Sequence, residues 1–184
     1  MPSIVVPFRA ETGKSRLAPA PKEVRDALAE AMLEDVLEAC RAVGSTTLVS
    51  DGDGQGEAVE NALRALSERP ILVVNADLPC ARARDLLTLL GALPEGGVAL
   101  VEAADGTTNA LALAAPHLFA PLYGAGSAER FLARADRLGA SAAIAEIPNL
   151  TDDVDTLADL ERLEGRLGPR TAAVFEELRA GLTK

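Results

Sequence analysis

Short apolar runs alternate along this chain with longer stretches rich in Ala, Leu, Arg and Glu. SIVVPF (3–8), TTLVS (46–50), PILVVNAD (70–77), Gly97–Val101, Asn109–Ala114 and Ala142–Ile147 read as strands. Compact runs rich in β-branched residues are what a sheet covered on both faces requires. Between them, Pro21–Arg41 carries Val24, Leu28, Met32, Val36 and Leu37 at three- and four-residue spacing, the stripe of an amphipathic helix. Glu57–Leu66, Ala83–Leu93 and Ser127–Leu138 have the same texture. Thr156–Leu167 and Pro169–Leu182 close the chain as helices, and their Leu157, Leu160, Leu163, Leu167, Val174, Phe175 and Leu178 are expected to complete the core. Strands separated by helices imply βαβ units and a mostly parallel sheet. The expected architecture is a single α/β domain over residues 1–184.

Composition narrows the class. The chain has 184 residues, 48% of them apolar and 25% charged, with a formal net charge of -10. That length suits one domain. No stretch approaches the roughly 18 apolar residues of a membrane span. The start, MPSIVVPFRAETGK, lacks the basic opening and long apolar run of a signal peptide, so the expected location is cytoplasmic. Cys40 and Cys80 are too few for a disulfide framework and lack metal-ligand spacing. The acidic balance argues against a nucleic-acid partner, because phosphate backbones need a basic surface. His117, the only histidine, reads as structural or surface, and no Gly-x-Ser-x-Gly elbow is present to make it part of a hydrolase triad.

In parallel sheets ligands bind at the carboxyl ends of strands, so chemistry is sought there. After the first strand comes Pro7-Phe8-Arg9, then Gly13-Lys14-Ser15-Arg16. Phe8 stands where a phosphate-binding P-loop needs its first glycine, so this is not that motif. A basic, glycine-containing loop can still hold phosphates through backbone N–H groups, Lys14 and Arg16; the alternative is an ordinary solvated loop. Asp77 ends an apolar strand, where a carboxylate is costly unless paired or bound to metal. Hard oxygen ligands at a strand end suit Mg²⁺, the alternative being a turn or helix cap. Asp152-Asp153-Val154-Asp155-Thr156 holds two acids two residues apart, on one side of an extended segment. Capping by Asp155 or Thr156 explains only part of that cluster. Asp105-Gly106-Thr107-Thr108-Asn109 and Tyr123-Gly124-Ala125-Gly126-Ser127 look built for anions, the second presenting N–H groups and a hydroxyl at a helix start. Ser127 could equally be an ordinary helix cap.

KSRLA, EAMLEDVLEA, ADLP, DGTTNALAL, YGAGSAERF and DDVDTLADL occur in that order over nearly the whole chain. Together they resemble the guanylyltransferases of deazaflavin coenzyme (factor 420) biosynthesis, which act on phosphoenolpyruvate or 2-phospho-L-lactate. The resemblance implies a Rossmann-like, three-layer α/β fold with a mostly parallel sheet, of the nucleotide-diphospho-sugar-transferase type. It implies GTP and a phosphorylated small acid as partners and Mg²⁺ as cofactor. It would give Asp77, Asp153 and Asp155 the role of metal ligands, the last being a shorter reach than the glutamate common in relatives. Thr108, Asn109, Gly124, Gly126 and Ser127 would serve the acceptor acid. Pro7, Arg9, Lys14, Arg16 and Asn61 would serve the nucleotide, with Lys14, Arg16 and Asp77 carrying the catalysis.

The chain departs from that family twice. Pro7-Phe8-Arg9 replaces the usual Pro-x-Lys. Val49-Ser50-Asp51 also passes almost at once into a Gly-rich stretch, so that Glu60-Asn61 stands for the usual hydrophobic-Asn pair in a region expected to help recognise the base. Two other readings therefore stand beside the first: a molybdenum-cofactor-type nucleotidyltransferase, and a non-catalytic binding protein with a degenerate nucleotide site. Arginines outnumber lysines 15 to 3, which suggests a GC-rich bacterial genome and so puts phosphoenolpyruvate first among acceptors. The oligomeric state is open, a homodimer included.

Overall fold

The computed structural model describes residues 1–8, 17–18, 20–50, 54–66 and 69–182. Within them six strands run as β1 (Ser3–Pro7), β2 (Ser45–Val49), β3 (Ile71–Val74), β4 (Val98–Glu102), β5 (Thr108–Leu113) and β6 (Ala142–Ile144). The helices are α1 (Lys22–Arg41), α2 (Gln55–Ala65), α3 (Ala83–Ala92), α4 (Ser127–Arg137), α5 (Pro148–Thr151), α6 (Leu157–Leu163) and α7 (Pro169–Leu182). The strands form one sheet in the order β2-β1-β3-β5-β4-β6. β1 pairs parallel with β2 and β3, and β4 parallel with β6, whereas β5 lies antiparallel between β3 and β4. The mostly parallel expectation holds, with β5 as the exception. Only residues 103–107 join β4 to β5, too short for the crossover a parallel pair needs.

Alternation along the strands sorts the core into two layers. Ile4, Val6, Leu72, Val74, Ala99 and Val101 face α1 and α3, whose Val36, Leu37, Leu86 and Leu89 cover them. Val5, Ile71, Val73, Leu100 and Leu111 face the other way, under Val59 and Leu63 of α2 and Phe131 of α4. A third cluster joins Leu28 and Met32 of α1 to Leu160, Leu163, Leu167, Phe175 and Leu178. The closing helices thus complete the core, as their apolar spacing predicts. Cys40 and Cys80 are buried free thiols. Among the described residues no helix is long and apolar enough to cross a membrane.

Three boundaries differ from the sequence reading by three residues or more. The strand expected over 70–77 ends at Val74, releasing Asn75, Ala76 and Asp77 into a loop. The strand expected to reach Ile147 stops at Ile144, and Pro148 then opens the short helix α5. The helix expected over 156–167 ends at Leu163 and continues as a tighter turn, Glu164–Arg166. Thr156, rather than Asp155, caps α6: its hydroxyl oxygen accepts the Asp159 N–H while the Asp159 carboxylate accepts the Thr156 N–H at 2.8 Å.

Candidate active site

The loop after β3 and the segment 152–155 meet at the carboxyl end of the sheet. The Val154 N–H donates to the Asp77 carbonyl at 3.0 Å, and this bond ties the two segments together. Among the described residues, Asp77, Asp153 and Asp155 form a group whose carboxylate oxygens lie within 4.8 Å of one another. All three are half-buried. Burial first, and then the negative charge of Asp77, push the Asp153 carboxyl above its ordinary value, while a hydrogen bond from Asn109 works the other way. Convergent hard oxygens that repel one another are the donor set a Mg²⁺ ion takes. The residues present fit that ion. Asp152 turns elsewhere and binds Arg162 at 2.7 Å and Arg166.

Beside the acids stands a second group, built on the start of β5. The β4–β5 pairing slips between Val101 and Glu102, so that Glu102 opposes Thr108 and Asn109 is left over as a bulge. Asn109 is buried, accepts the Asn75 N–H at its carbonyl and donates Nδ2 to the Thr151 carbonyl at 3.0 Å. Thr108 and Ser127 are buried too. The Thr108 N–H donates to Ser127 Oγ at 2.9 Å, and that hydroxyl donates to Thr108 Oγ1 at 3.1 Å. The helix start is less open than its Gly-x-Gly-Ser sequence suggests. The Ser127 N–H is taken by the Gly124 carbonyl at 3.0 Å and that of Ala128 by Gly106 at 3.3 Å. Gly126, at φ +67°, is the cap, and Gly124 sits at φ +108°, conformations that L side chains rarely adopt.

Other residues here stand in or near the quoted runs but have no role assigned from sequence. Asn75 donates Nδ2 to the Thr108 carbonyl at 3.2 Å and accepts Gln55 Nε2 at 2.7 Å, so it joins β3, β5 and α2 beside Asp77. Its only sequence signal was a polar residue ending an apolar strand. Arg130, from α4, donates to the Leu122 carbonyl at 2.7 and 3.2 Å, to Tyr123 at 3.2 Å and to Ala125, stapling the glycine loop.

On the nucleotide side, Pro7 is the last residue of β1 and pairs with Val49. Asn61 lies exposed on α2 and accepts Arg64 Nη1 at 3.0 Å. Arg9, Lys14 and Arg16 lie outside the described residues. His117 is exposed, in a short turn at Pro116–Leu118. A cavity of about 560 Å³ shares Thr151 and Asp152 with the acidic segment but is lined by none of the three converging carboxylates.

The family model described as "Guanylyl transferase CofC like" matches residues 41–165. The phosphoenolpyruvate guanylyltransferase of Sphaerobacter thermophilus is 36% identical over 191 residues, spanning 88% of this chain and 91% of that protein. The 2-phospho-L-lactate guanylyltransferase of Halomicrobium mukohataei is 36% identical over 183 residues, spanning 89% of this chain and 87% of that one. A solved structure described as a nucleotide-diphospho-sugar transferase, from Desulfovibrio desulfuricans G20, superposes with a TM-score of 0.75 at 15% identity, over 97% of this chain and 95% of its own. The 4-diphosphocytidyl-2C-methyl-D-erythritol synthase of Anaerococcus prevotii does so with a TM-score of 0.54 at 11% identity, over 88% and 95%. At such identities the structural likeness speaks for the fold alone.

Fold and sequence relatives together define a nucleotidyltransferase. More narrowly, the chain belongs to the CofC-like guanylyl transferase family.

Proposed function

We propose that this protein transfers GMP from GTP to a phosphorylated small acid, phosphoenolpyruvate or 2-phospho-L-lactate, with release of pyrophosphate. The observation that carries this reading is the convergence of Asp77, Asp153 and Asp155 beside the buried Thr108–Ser127 pair. Acids fit to hold Mg²⁺ thus stand next to a polar pocket wall suited to a carboxylate. A phosphate oxygen of the acceptor attacks the α-phosphorus of GTP, and the bond from that phosphorus to the bridging oxygen of the β-phosphate breaks. No protein nucleophile is required, so the residues position and neutralise. Asp77, Asp153 and Asp155 would hold Mg²⁺, which when bound offsets the phosphate charges. Thr108, Asn109, Gly124, Gly126 and Ser127 orient the acceptor acid. Pro7 and Asn61 flank the nucleotide, and Arg9, Lys14 and Arg16 are the basic groups for its triphosphate. Metal-held carboxylates also explain how a chain of net charge -10 accepts two anionic substrates.

The product of such a transfer belongs to deazaflavin coenzyme biosynthesis. Two buried free thiols and a GTP-consuming reaction fit a cytoplasmic setting.

The test is pyrophosphate release from GTP and Mg²⁺ with phosphoenolpyruvate, 2-phospho-L-lactate or molybdopterin as acceptor. Turnover is expected with one or both phosphoacids and lost in excess chelator. Turnover with molybdopterin alone would move the chain to the cofactor-nucleotidyltransferase reading. Phosphoacid binding without turnover would mark a binding protein.

A further inference from the structure

We infer that Arg166, assisted by Arg162, is a positioning residue for the carboxylate triad: its hold on Asp152 sets Asp153 and Asp155 against Asp77. The inference rests on the metal-holding role proposed above for those three acids.

The first observation is a division of labour within four consecutive residues. Asp152 is the acid that does not join the triad, and its two oxygens are held separately. Oδ1 accepts Arg162 Nη1 at 2.7 Å, and Oδ2 accepts Arg166 Nη2. The second nitrogen of Arg162 reaches Asp159 at 3.3 Å. Asp159 in turn accepts the N–H groups of Asp155 at 3.2 Å and Thr156 at 2.8 Å. The segment bearing Asp153 and Asp155 is therefore fixed at both ends.

The second observation is that Arg166 is registered to the loop that carries Asp77. Its own carbonyl accepts Arg82 Nη2 at 2.8 Å, and the next carbonyl, of Leu167, accepts the same nitrogen at 3.2 Å. The Gly168 N–H donates to the Pro79 carbonyl at 2.7 Å. A closed ring results. It runs from Asp77 along the loop to Arg82, across to Arg166, through its guanidinium to Asp152, and back to Asp77 by the Val154 N–H bond. Each side of the metal site is thereby measured against the other.

Exposure argues that this arrangement serves geometry more than stability. The Arg162 and Arg166 side chains are 51% and 40% exposed, and ion pairs that open contribute little to folding. Ligand positions, by contrast, must hold to about half an ångström, and loss of an outer partner of a metal ligand typically weakens binding about 10- to 100-fold.

The experiment compares the parent protein with Arg166→Met, Asp152→Asn and the control Arg41→Met, which removes a surface pair with Glu34. Mn²⁺ affinity is read by titration calorimetry, and amide exchange over 152–155 is read in the metal-free proteins. Arg166→Met is expected to weaken Mn²⁺ binding about 10-fold or more and to speed exchange over that segment, with little change in Tm. Asp152→Asn, which keeps the side-chain shape, should act in the same direction, and Arg41→Met should match the parent. Parent-like affinity and exchange in both Arg166→Met and Asp152→Asn would overturn the inference. A parent that binds no Mn²⁺ would overturn the metal-holding role itself, a failure told apart because no variant is needed to see it.

Discussion

Thr108 and Ser127 hydrogen-bond each other twice, backbone to hydroxyl at 2.9 Å and hydroxyl to hydroxyl at 3.1 Å, with both residues buried. The pair locks the first residue of β5 to the first turn of α4. In Ser127→Ala the buried Thr108 N–H and hydroxyl both lose a partner, at a cost of about 1–3 kcal/mol. A chain of this size then loses roughly 2–4 °C of Tm for each kcal/mol, measurable by calorimetry. The KM for the phosphoacid is expected to rise with it, on the proposal that this pair orients the acceptor acid. A variant with parent Tm and parent KM would remove the pair from both roles.

Asp77 holds Val154 through its backbone carbonyl and offers its carboxylate to the triad. Asp77→Asn keeps the first and alters only the second. Product formation should fall by at least about 100-fold while the circular dichroism spectrum and Tm stay near those of the parent. Near-parent turnover would take Asp77 out of the mechanism.

The two acidic stretches were legible because charge at the end of an apolar run has few structural explanations, and three acids in four positions exceed what one helix cap uses. The structure divides them physically. Thr156 caps, Asp152 pairs with arginines, and Asp153 and Asp155 turn to Asp77. The parallel strands were legible from their apolar runs and intervening helices. The place of β5 was less so, since its antiparallel setting depends on a five-residue connection, 103–107, rather than on any pattern inside the strand. The roles of Asn75, Gln55, Arg130 and Arg166 were not legible, although Asn75 and Arg130 stand inside PILVVNAD and YGAGSAERF. Which polar side chain on a loop or helix turns inward depends on tertiary neighbours, and no period records it.

Arg130 spends its guanidinium on the carbonyls of Leu122, Tyr123 and Ala125, holding the loop on which Gly124 and Gly126 sit. Arg130→Met keeps the aliphatic stem and removes those bonds. The expected result is a rise of about 10-fold in the phosphoacid KM with the KM for GTP unchanged, the signature of one loosened loop. Steady-state kinetics with each substrate varied in turn checks it. An equal rise in both KM values would point to a general loss of structure.

Alkaline stability follows from a buried thiol and a half-buried phenol packed on the core. Burial pushes the Cys40 thiol from its ordinary value of 9.0 up to about 12. Burial likewise raises Tyr123, whose ring packs against Phe131 at 5.5 Å and Phe119 at 6.1 Å. A raised acid stays protonated in the folded chain while the unfolded chain ionises. Its contribution to stability is full below the unfolded value and is lost as pH rises toward the folded one. For Cys40 that window runs from about 9 to about 12. Melts from pH 8 upward should show Tm falling through this window. Cys40→Ala should fall less steeply from its own starting point, and identical slopes would exclude the thiol as a cause.

Asp35, on α1, is buried and accepts three hydrogen bonds from the start of α7: the Arg170 N–H at 3.2 Å, the Thr171 N–H at 2.9 Å and the Thr171 hydroxyl at 2.7 Å. It is an N-cap supplied by a residue far away in sequence, and its negative charge sits at the positive end of the helix. Gly168 makes room for it, because a Cβ there would collide with the Asp35 carboxylate. Two substitutions therefore attack one joint from opposite sides. Asp35→Ala leaves two N–H groups and a hydroxyl without their acceptor, at a cost of about 1–3 kcal/mol. Gly168→Ala displaces the carboxylate and should destabilise by a similar amount. Because both act on the same contact, the double variant should lose less than the sum of the singles. Denaturant titration of the four proteins measures that coupling. Strict additivity would mean that Gly168 is conserving space for something other than the Asp35 cap.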